Sequence, residues 1–138
     1  MNKQVNSIML IDDNPDDNFF HERVIRRSNV AKAVVIQESA VDALQYLKAK
    51  GEHHQPHPDL IFLDINMPEM SGWEFLKEYE KLEKNVRKGL VIVMLTTSNN
   101  PDDNASGQAQ NSLFGFRTKP LTKQMLGEIM DQYWSTKD

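Results

Sequence analysis

Acidic and basic side chains stand directly after several short apolar runs of this 138-residue sequence. Asp12 and Asp13 follow "IMLI", Asp64 follows "LIFL", and Lys119 comes shortly after "LFGF". Carboxylates that lie close together repel each other, by about 4 kcal/mol for a pair about 4 Å apart at an effective dielectric constant near 20. A divalent cation with oxygen ligands, Mg²⁺ or Mn²⁺, removes that repulsion. These residue types indicate a metal-dependent site in which one carboxylate can act as a nucleophile.

The apolar runs have the length and composition of β-strands. Five of them occur, at Ser7–Ile11, Ala33–Gln37, Leu60–Leu63, Leu90–Leu95 and Leu113–Phe116. Most are rich in Ile, Val or Phe, and their apolar character is nearly continuous rather than alternating. This pattern is typical of parallel strands that are covered by helices on both faces of a sheet.

Helical patterns lie between these runs. Four have recognisable first residues, at Asn14, Ser39, Ser71 and Thr122. In the first helix we expect Phe20 and Val24 on the buried face and His21 exposed, and in the third we expect Trp73 in the buried stripe. The segment "NNPDDNASGQAQNS", residues 99–112, contains Gly107 and few apolar side chains, so only a weak fourth helix is expected there.

Alternation of strands and helices predicts an open α/β sandwich with right-handed crossovers. Ligands of such sheets bind beyond the carboxyl ends of the strands, where the strand order reverses. The polar residues at the strand ends should therefore meet at one edge. They are Asp12, Asp13, Asp64, Thr96, Thr97, Ser98 and Lys119.

Length and composition indicate a single globular domain over residues 1–138, with its core at about 7–134. The formal net charge is −4 without a basic stripe, so no direct contact with nucleic acid is expected. The apolar runs are too short to cross a membrane, and no signal peptide is recognisable. The absence of cysteine excludes disulfides, which agrees with an expected cytoplasmic location.

Four sequence motifs together resemble the receiver domain of two-component response regulators. They are "LIDDN", "FLDINMPEMSG", "MLTTS" and "TKPL", in that order and at similar spacing, and the resemblance extends from Ser7 to about Trp134. It implies a flavodoxin-like (βα)5 fold, a three-layer sandwich whose five-stranded parallel sheet has the order 2-1-3-4-5. It also implies a signalling protein rather than an enzyme. Because the first strand begins close to residue 1 and the last helix ends close to residue 138, we expect a stand-alone receiver without an output domain.

The resemblance assigns a role to each residue of the metal site. Asp64 would be the phosphoacceptor, Asp13 a direct ligand of Mg²⁺ (or Mn²⁺), Asp12 a ligand through water, and Asn66 a ligand through its backbone carbonyl. Lys119 would pair with the phosphoryl group or, before phosphorylation, with Asp64. The peptide bond that follows Lys119 is expected to be cis.

Further positions in the resemblance concern the phosphoryl oxygens and the response to phosphorylation. Thr96 would donate a hydrogen bond to a phosphoryl oxygen, and Phe116 falls on the aromatic switch position. Asn66, Thr97 and Ser98 lie where residues tune the rate of hydrolysis. Thr97 stands where the family usually has Ala or Gly, and its larger side chain would narrow the access of phosphate to the site. A shift of the loop register would instead make Thr97 the hydroxyl that contacts the phosphoryl group.

The expected partners follow from the same resemblance. A sensor histidine kinase or a histidine phosphotransfer protein would donate the phosphoryl group, and a downstream protein target would bind the phosphorylated surface. Homodimers formed through the fourth helix, fifth strand and fifth helix are common in the family.

Two other functions fit parts of the sequence. A phosphohydrolase of the haloacid dehalogenase kind needs a second acid two residues after its nucleophile, where this sequence has Asn66. A phosphorylation-independent adaptor would normally lack the acidic pair or the lysine, and both are present. A separate cluster, His53, His54 and His57, could bind a transition metal but is more typical of a solvated loop.

Overall fold

A computed structural model describes residues 3–49, 57–97 and 113–137. Five strands and five helices occur in these ranges. The strands are β1 (Val5–Ile11), β2 (Ala31–Gln37), β3 (Leu60–Leu63), β4 (Val91–Thr96) and β5 (Leu113–Thr118). The helices are α1 (Pro15–Ser28), α2 (Ala40–Lys48), α3 (Gly72–Glu80), α4 (Lys84–Arg87) and α5 (Lys123–Lys137). None of these helices combines the length and apolar character that crossing a membrane requires.

All five strands join one parallel sheet in the order β2-β1-β3-β4-β5, which confirms the predicted fold. The register places Ile11 beside both Gln37 and Leu63, and Leu63 beside Met94. The carboxyl ends of β1, β2 and β3 are therefore level, and β4 continues two residues further. Residues that follow these ends start from neighbouring points on one edge.

Side chains of the central strands alternate between two apolar cores, one on each face of the sheet. Helices α2 and α3 cover the core that contains Met9, Ile11, Ile61, Leu63, Ile92 and Met94. Helices α1 and α5 cover the core that contains Ile8, Leu10, Leu60, Phe62, Val93 and Leu95. Burial on both faces explains why the strands are continuously apolar in sequence.

The predicted helix starts are found at the expected residues. The Asn14 side chain accepts hydrogen bonds from the backbone N–H groups of Asp16 and Asp17. Ser71 forms a reciprocal capping box with Glu74, and the Thr122 hydroxyl accepts from the N–H of Met125 at 3.1 Å. These bonds satisfy N–H groups that have no partner within the helix.

The prediction for α1 was wrong for Phe20 and His21, whereas Val24 packs against one of the apolar cores as expected. Phe20 is 49% exposed, whereas His21 is only 3% exposed and lies on the buried face with Asn18 and Ile25. The Asn18 amide donates to the backbone oxygen of Asp12 at 2.8 Å, which turns this polar face of the helix toward the sheet. An apolar-face argument does not anticipate a helix that buries polar groups through hydrogen bonds.

Two further features of the helices differ from the sequence expectations. In α3, Phe75 is fully buried, whereas Trp73 is only partly buried. The short helix α4 was not predicted; it buries Val86, whose carbonyl lies 2.8 Å from the His57 ring. The weak helix expected in residues 99–112, Ser98, and the pair His53 and His54 lie outside the described residues.

Gly72 allows α3 to begin directly against the carboxyl end of β3. A Cβ atom at this position would collide with the backbone oxygen of Asp64 and lie 3.0 Å from the Cα of Ile65. The Gly72 N–H also donates to the Ile65 carbonyl at 2.8 Å. The backbone after β3 is thus fixed by close contact as well as by hydrogen bonding.

Replacing Gly72 with alanine should destabilise the protein by about 1–3 kcal/mol, the usual cost of overpacking. Gly127 in α5 is a matched control, because no described atom lies within 4 Å of the corresponding Cβ position. Gly127→Ala should stabilise the protein by about 0.5–1 kcal/mol, since alanine favours a helix interior more than glycine does. Urea unfolding of both variants measures these changes. Equal stability of the Gly72→Ala variant and the wild type would contradict the packing argument.

Candidate functional site

The residues of the site are positioned by backbone hydrogen bonds that continue the sheet one residue beyond the strands. The Asp12 N–H donates to the Gln37 carbonyl at 3.1 Å, and the Asp64 N–H donates to the Ile11 carbonyl at 3.0 Å. The Lys119 N–H donates to the Thr96 carbonyl at 2.7 Å, and the peptide bond between Lys119 and Pro120 is cis, as expected. Each charged side chain therefore leaves the backbone from a point that the sheet holds rigidly.

The three predicted acidic residues come together at this edge. One carboxylate oxygen from each of Asp12, Asp13 and Asp64 lies within 4.8 Å of those of the other two. Asp12 and Asp64 are buried, whereas Asp13 is exposed. The Asp12 carboxylate also accepts from the N–H of Asn14 at 3.0 Å. Three carboxylates so placed can bind one hard divalent cation that approaches from the solvent side.

Lys119 inserts its ammonium group among carboxylates, and its side chain is only 8% exposed. Its Nζ atom lies 2.6 Å from Asp12 Oδ2 and 2.8 Å from Asp17 Oδ2, but 3.7 Å from Asp64 Oδ1. The first two distances are hydrogen bonds, and the third is an ion pair without one. Lys119 thus pairs more closely with Asp12 and Asp17 than with Asp64, the only partner that the sequence predicted.

Burial and neighbouring charge shift the pKa values of this site. The pKa of Asp64 is raised from 3.8 to about 6. Burial is the largest cause, and repulsion from Asp12 and Asp13 adds to it, whereas Lys119 and the hydrogen bond from the Ile65 N–H act in the opposite direction. Burial lowers the pKa of Lys119, but its hydrogen bonds to Asp12 and Asp17 outweigh that effect and leave the pKa raised. The lysine stays charged, and Asp64 is a more basic carboxylate than an ordinary aspartate.

Sequence reasoning missed two residues of this region. In the sequence, Asp17 is explained as an acid in the first turn of a helix, where negative charge is favourable, and His21 is expected to be exposed. Burial lowers the pKa of His21, and the nearby Lys119 charge lowers it further. Both residues lie in the first two turns of a helix that begins just after β1. That position could have indicated that they lie near the ends of the strands.

The other predicted residues take separate positions around the cluster. Thr96 is the fully buried last residue of β4, whereas Thr97 and Asn66 are exposed. An open groove of about 370 Å³ adjoins the lysine. It is lined by Asp17, Phe20, His21, Thr97, Lys119 and Pro120. Thr97 is one of the residues that line this groove, and the narrower access to Asp64 that the sequence suggests there stays a prediction.

Phe116 is a partly buried residue of β5, and its ring stacks on Trp73 of α3. The ring centroids are 6.3 Å apart and the ring planes differ by 17°. Stacked aromatic pairs contribute about 0.5–1.5 kcal/mol beyond the area that they bury. The Phe116 ring therefore links an edge strand to the helix that follows Asp64.

Comparisons with known proteins identify relatives of the whole domain. A family model of the response regulator receiver domain matches residues 8–131. The response regulator Rcp1 of Synechocystis is 33% identical over 97 residues, which are 70% of this chain and 65% of Rcp1.

Solved structures share the same fold. A two-component response regulator from Cytophaga hutchinsonii matches with a TM-score of 0.86 and 25% identity, over 96% of this chain and 99% of that chain. The phosphorylated cyanobacterial phytochrome response regulator RcpA matches with a TM-score of 0.76 and 27% identity, over 97% and 96% of the two chains.

The chain spans 65% of Rcp1 and between 25% and 42% of several other curated relatives. It therefore corresponds to only part of those proteins. The family match covers all five strands except the first residues of β1, and it includes every residue of the acidic edge described above. This chain belongs to the response regulator receiver domain family.

Proposed function

We propose that Asp64 accepts a phosphoryl group from a phosphohistidine in a Mg²⁺-dependent reaction, and that the phosphorylated surface then binds a downstream protein. The donor would be a sensor histidine kinase or a histidine phosphotransfer protein. The observation that carries this proposal is the placement of Asp64. This carboxylate, 9% exposed, lies beside two further carboxylates and 3.7 Å from a lysine, at the tip of a central strand.

The transfer step needs a nucleophile that is already ionised. With a pKa of about 6, Asp64 is mostly deprotonated at neutral pH and needs no general base. Its oxygen would bond to phosphorus while the bond from phosphorus to the imidazole nitrogen breaks. The bonding electron pair leaves with the imidazole, which then takes a proton from solvent. Water later attacks the aspartyl phosphate and releases inorganic phosphate.

The acidic cluster fits a Mg²⁺ ion in its donor chemistry, because it offers only oxygen ligands from carboxylates and the backbone. Asp13 and Asp64 would bind it directly, Asp12 through water, and Asn66 through its carbonyl. When bound, the ion supplies positive charge against the phosphoryl oxygens. Repulsion from Asp12 and Asp13, which contributes to the raised pKa of Asp64, supports the presence of a cation at this edge.

Lys119 and Thr96 would bind the remaining phosphoryl oxygens. Positioning and charge neutralisation provide most of the catalysis in phosphoryl transfer, so an ammonium group and a hydroxyl donor complete a sufficient set. Lys119 lies close enough to Asp64 to reach an oxygen bonded there. Asn66, Thr97 and Ser98 would adjust the access of water and so the lifetime of the phosphoryl group.

We assign Phe116 as the residue that transmits phosphorylation to the surface. Its stack on Trp73 joins β5 to the N-terminal turn of α3, which begins against the backbone of Asp64. Phenylalanine has no hydroxyl, so packing alone would carry the change. A switching role requires this stack to differ between the two states of Asp64.

One observation favours a second function. The exposed Thr97 side chain lines the groove beside Lys119, where it would narrow the approach of a donor to Asp64. If it blocks phosphorylation, the domain would act as a phosphorylation-independent adaptor.

Incubation with a small-molecule phosphodonor and Mg²⁺ should add one phosphoryl group, because Asp64 lies beside two further carboxylates and Lys119. Intact-mass spectrometry detects the adduct. Asp64→Asn and a chelator should each abolish it, and Asp16→Asn, which removes an exposed acid of α1, is the matched control. A folded wild-type protein without an adduct would support the adaptor instead.

The two threonines can be distinguished by separate alanine substitutions. Thr96→Ala should slow phosphorylation about tenfold, because a hydrogen bond to a charged group contributes about 1.5–3 kcal/mol. Thr97→Ala should accelerate it, because the smaller side chain widens access. Rates of adduct formation measure both effects. The reverse pattern would assign the phosphoryl contact to Thr97.

Asp64→Asn should stabilise the metal-free protein at pH 7, on the order of 2 kcal/mol, because the folded state raises the pKa of Asp64 from 3.8 to about 6. Between these two values the folded state binds more protons than the unfolded state. The wild type therefore loses stability as pH rises through this window, and the asparagine variant does not. Urea unfolding with a chelator at pH 4 and pH 7 measures the difference. A stability gap that is equal at both values would contradict the shift.

A further inference from the structure

Asp17 is a partner of Lys119 that the phosphoacceptor mechanism does not use. Its Oδ2 atom accepts a hydrogen bond from Nζ at 2.8 Å, 0.9 Å shorter than the 3.7 Å distance between Nζ and Asp64 Oδ1. The Asp17 side chain is 37% exposed, and that of Lys119 is 8% exposed. The pair therefore joins a partly exposed acid of α1 to the buried lysine after β5.

The start of α1 places Asp17 within reach of the lysine. Asn14 caps the helix and accepts from the N–H groups of Asp16 and Asp17, with Pro15 at the first helical position. The neighbouring acid, Asp16, is exposed and forms no ion pair with Lys119. Two adjacent acids in one helical turn therefore differ in their contact with the lysine.

Lys119 Nζ already donates two hydrogen bonds in the unphosphorylated protein. An ammonium group has three donors, and two of them point to Asp12 and Asp17. Asp12 belongs to the cluster that would bind Mg²⁺, so a bound cation would compete with Lys119 for its charge. Asp17 lies outside that cluster, so its hydrogen bond with Lys119 would remain when the cation is present.

We propose that Asp17 is a positioning residue that holds Lys119 back from Asp64 and competes with the phosphoryl group for the ammonium, thereby weakening the phosphorylated state. This inference rests on the proposed function, because it requires a phosphoryl group on Asp64. A phosphoryl oxygen that draws Lys119 toward Asp64 must weaken or break the contact with Asp17. The free energy of that contact is subtracted from the binding of the phosphoryl group.

Removal of Asp17 should consequently strengthen the binding of a phosphoryl analogue. The probe is beryllofluoride with Mg²⁺, and isothermal titration calorimetry measures its Kd. Asp17→Asn should bind about three- to fivefold more tightly than the wild type, as expected for a partly exposed ion pair. Asp16→Asn removes the same charge one residue away and should change the Kd less than about 1.5-fold. Equal effects of the two variants would overturn the proposal, because they would reflect net charge alone.

A double-mutant cycle tests whether the effect passes through the lysine. In a Lys119→Gln background, Asp17→Asn should leave the Kd unchanged, because no ammonium remains to be held. The same tightening in this background would overturn the proposal. Circular dichroism first checks that each variant is folded, and Lys119→Arg, which keeps the charge, replaces the glutamine variant if that one unfolds. In the arginine background the tightening from Asp17→Asn should persist, and its loss would overturn the proposal.

A third measurement needs no phosphoryl chemistry. The ¹⁵N resonance of the Lys119 ammonium should shift in Asp17→Asn and stay in place in Asp16→Asn. An unshifted resonance overturns the proposal. A shifted resonance together with an unchanged Kd for beryllofluoride also overturns it while leaving the proposed function standing. A wild type that shows no binding of beryllofluoride and no adduct would overturn the proposed function itself, and the competition with it.

Discussion

The Lys119 ammonium group is what makes it possible to bury Asp12 and Asp64 side by side at the ends of two adjacent central strands. It lies 2.6 Å from one carboxylate and 3.7 Å from the other. Without a cation, such a pair would repel by several kcal/mol and one member would take up a proton. Even with the lysine, the pKa of Asp64 remains raised to about 6. Burial is the main cause of that rise, and repulsion from Asp12 and Asp13 adds to it, so one ammonium group does not fully compensate the cost of burying these carboxylates.

The parallel sheet supplies the rigidity that this charge arrangement requires. The backbone N–H groups of Asp12, Asp64 and Lys119 each bond to the neighbouring strand, one residue past the strand end. Carboxylates on flexible loops would move apart to lower their repulsion. Here the apolar cores on both faces fix the strands, so the repulsion is retained. The close contact between Gly72 and the Asp64 backbone removes a further direction of movement.

Sequence reasoning predicted the parts of this structure that depend on local patterns. The strands, the caps at Asn14 and Ser71, and the convergence of Asp12, Asp13 and Asp64 follow from apolar runs, capping chemistry and the geometry of parallel sheets. The burial of Asn18 and His21 in α1 did not follow, because neither side chain is apolar and Asn18 is held by a hydrogen bond to the backbone of Asp12. The role of Asp17 was missed for a related reason, since a first-turn acid is already explained by the helix dipole. The assignment of Asp64 as phosphoacceptor stays a prediction.

The contacts of Lys119 connect three elements of the fold around Asp64. Its backbone follows β5, one of its carboxylate partners stands at the start of α1, and another stands at the tip of β3. If Lys119 moved from Asp17 toward Asp64, the ion pair that connects α1 to the end of β5 would therefore weaken. Asp17 and Lys119 themselves line the groove described above, together with Phe20 and Thr97. A phosphoryl group on Asp64, as proposed above, would therefore act on this groove through Lys119, a second route beside the stack of Phe116 on Trp73.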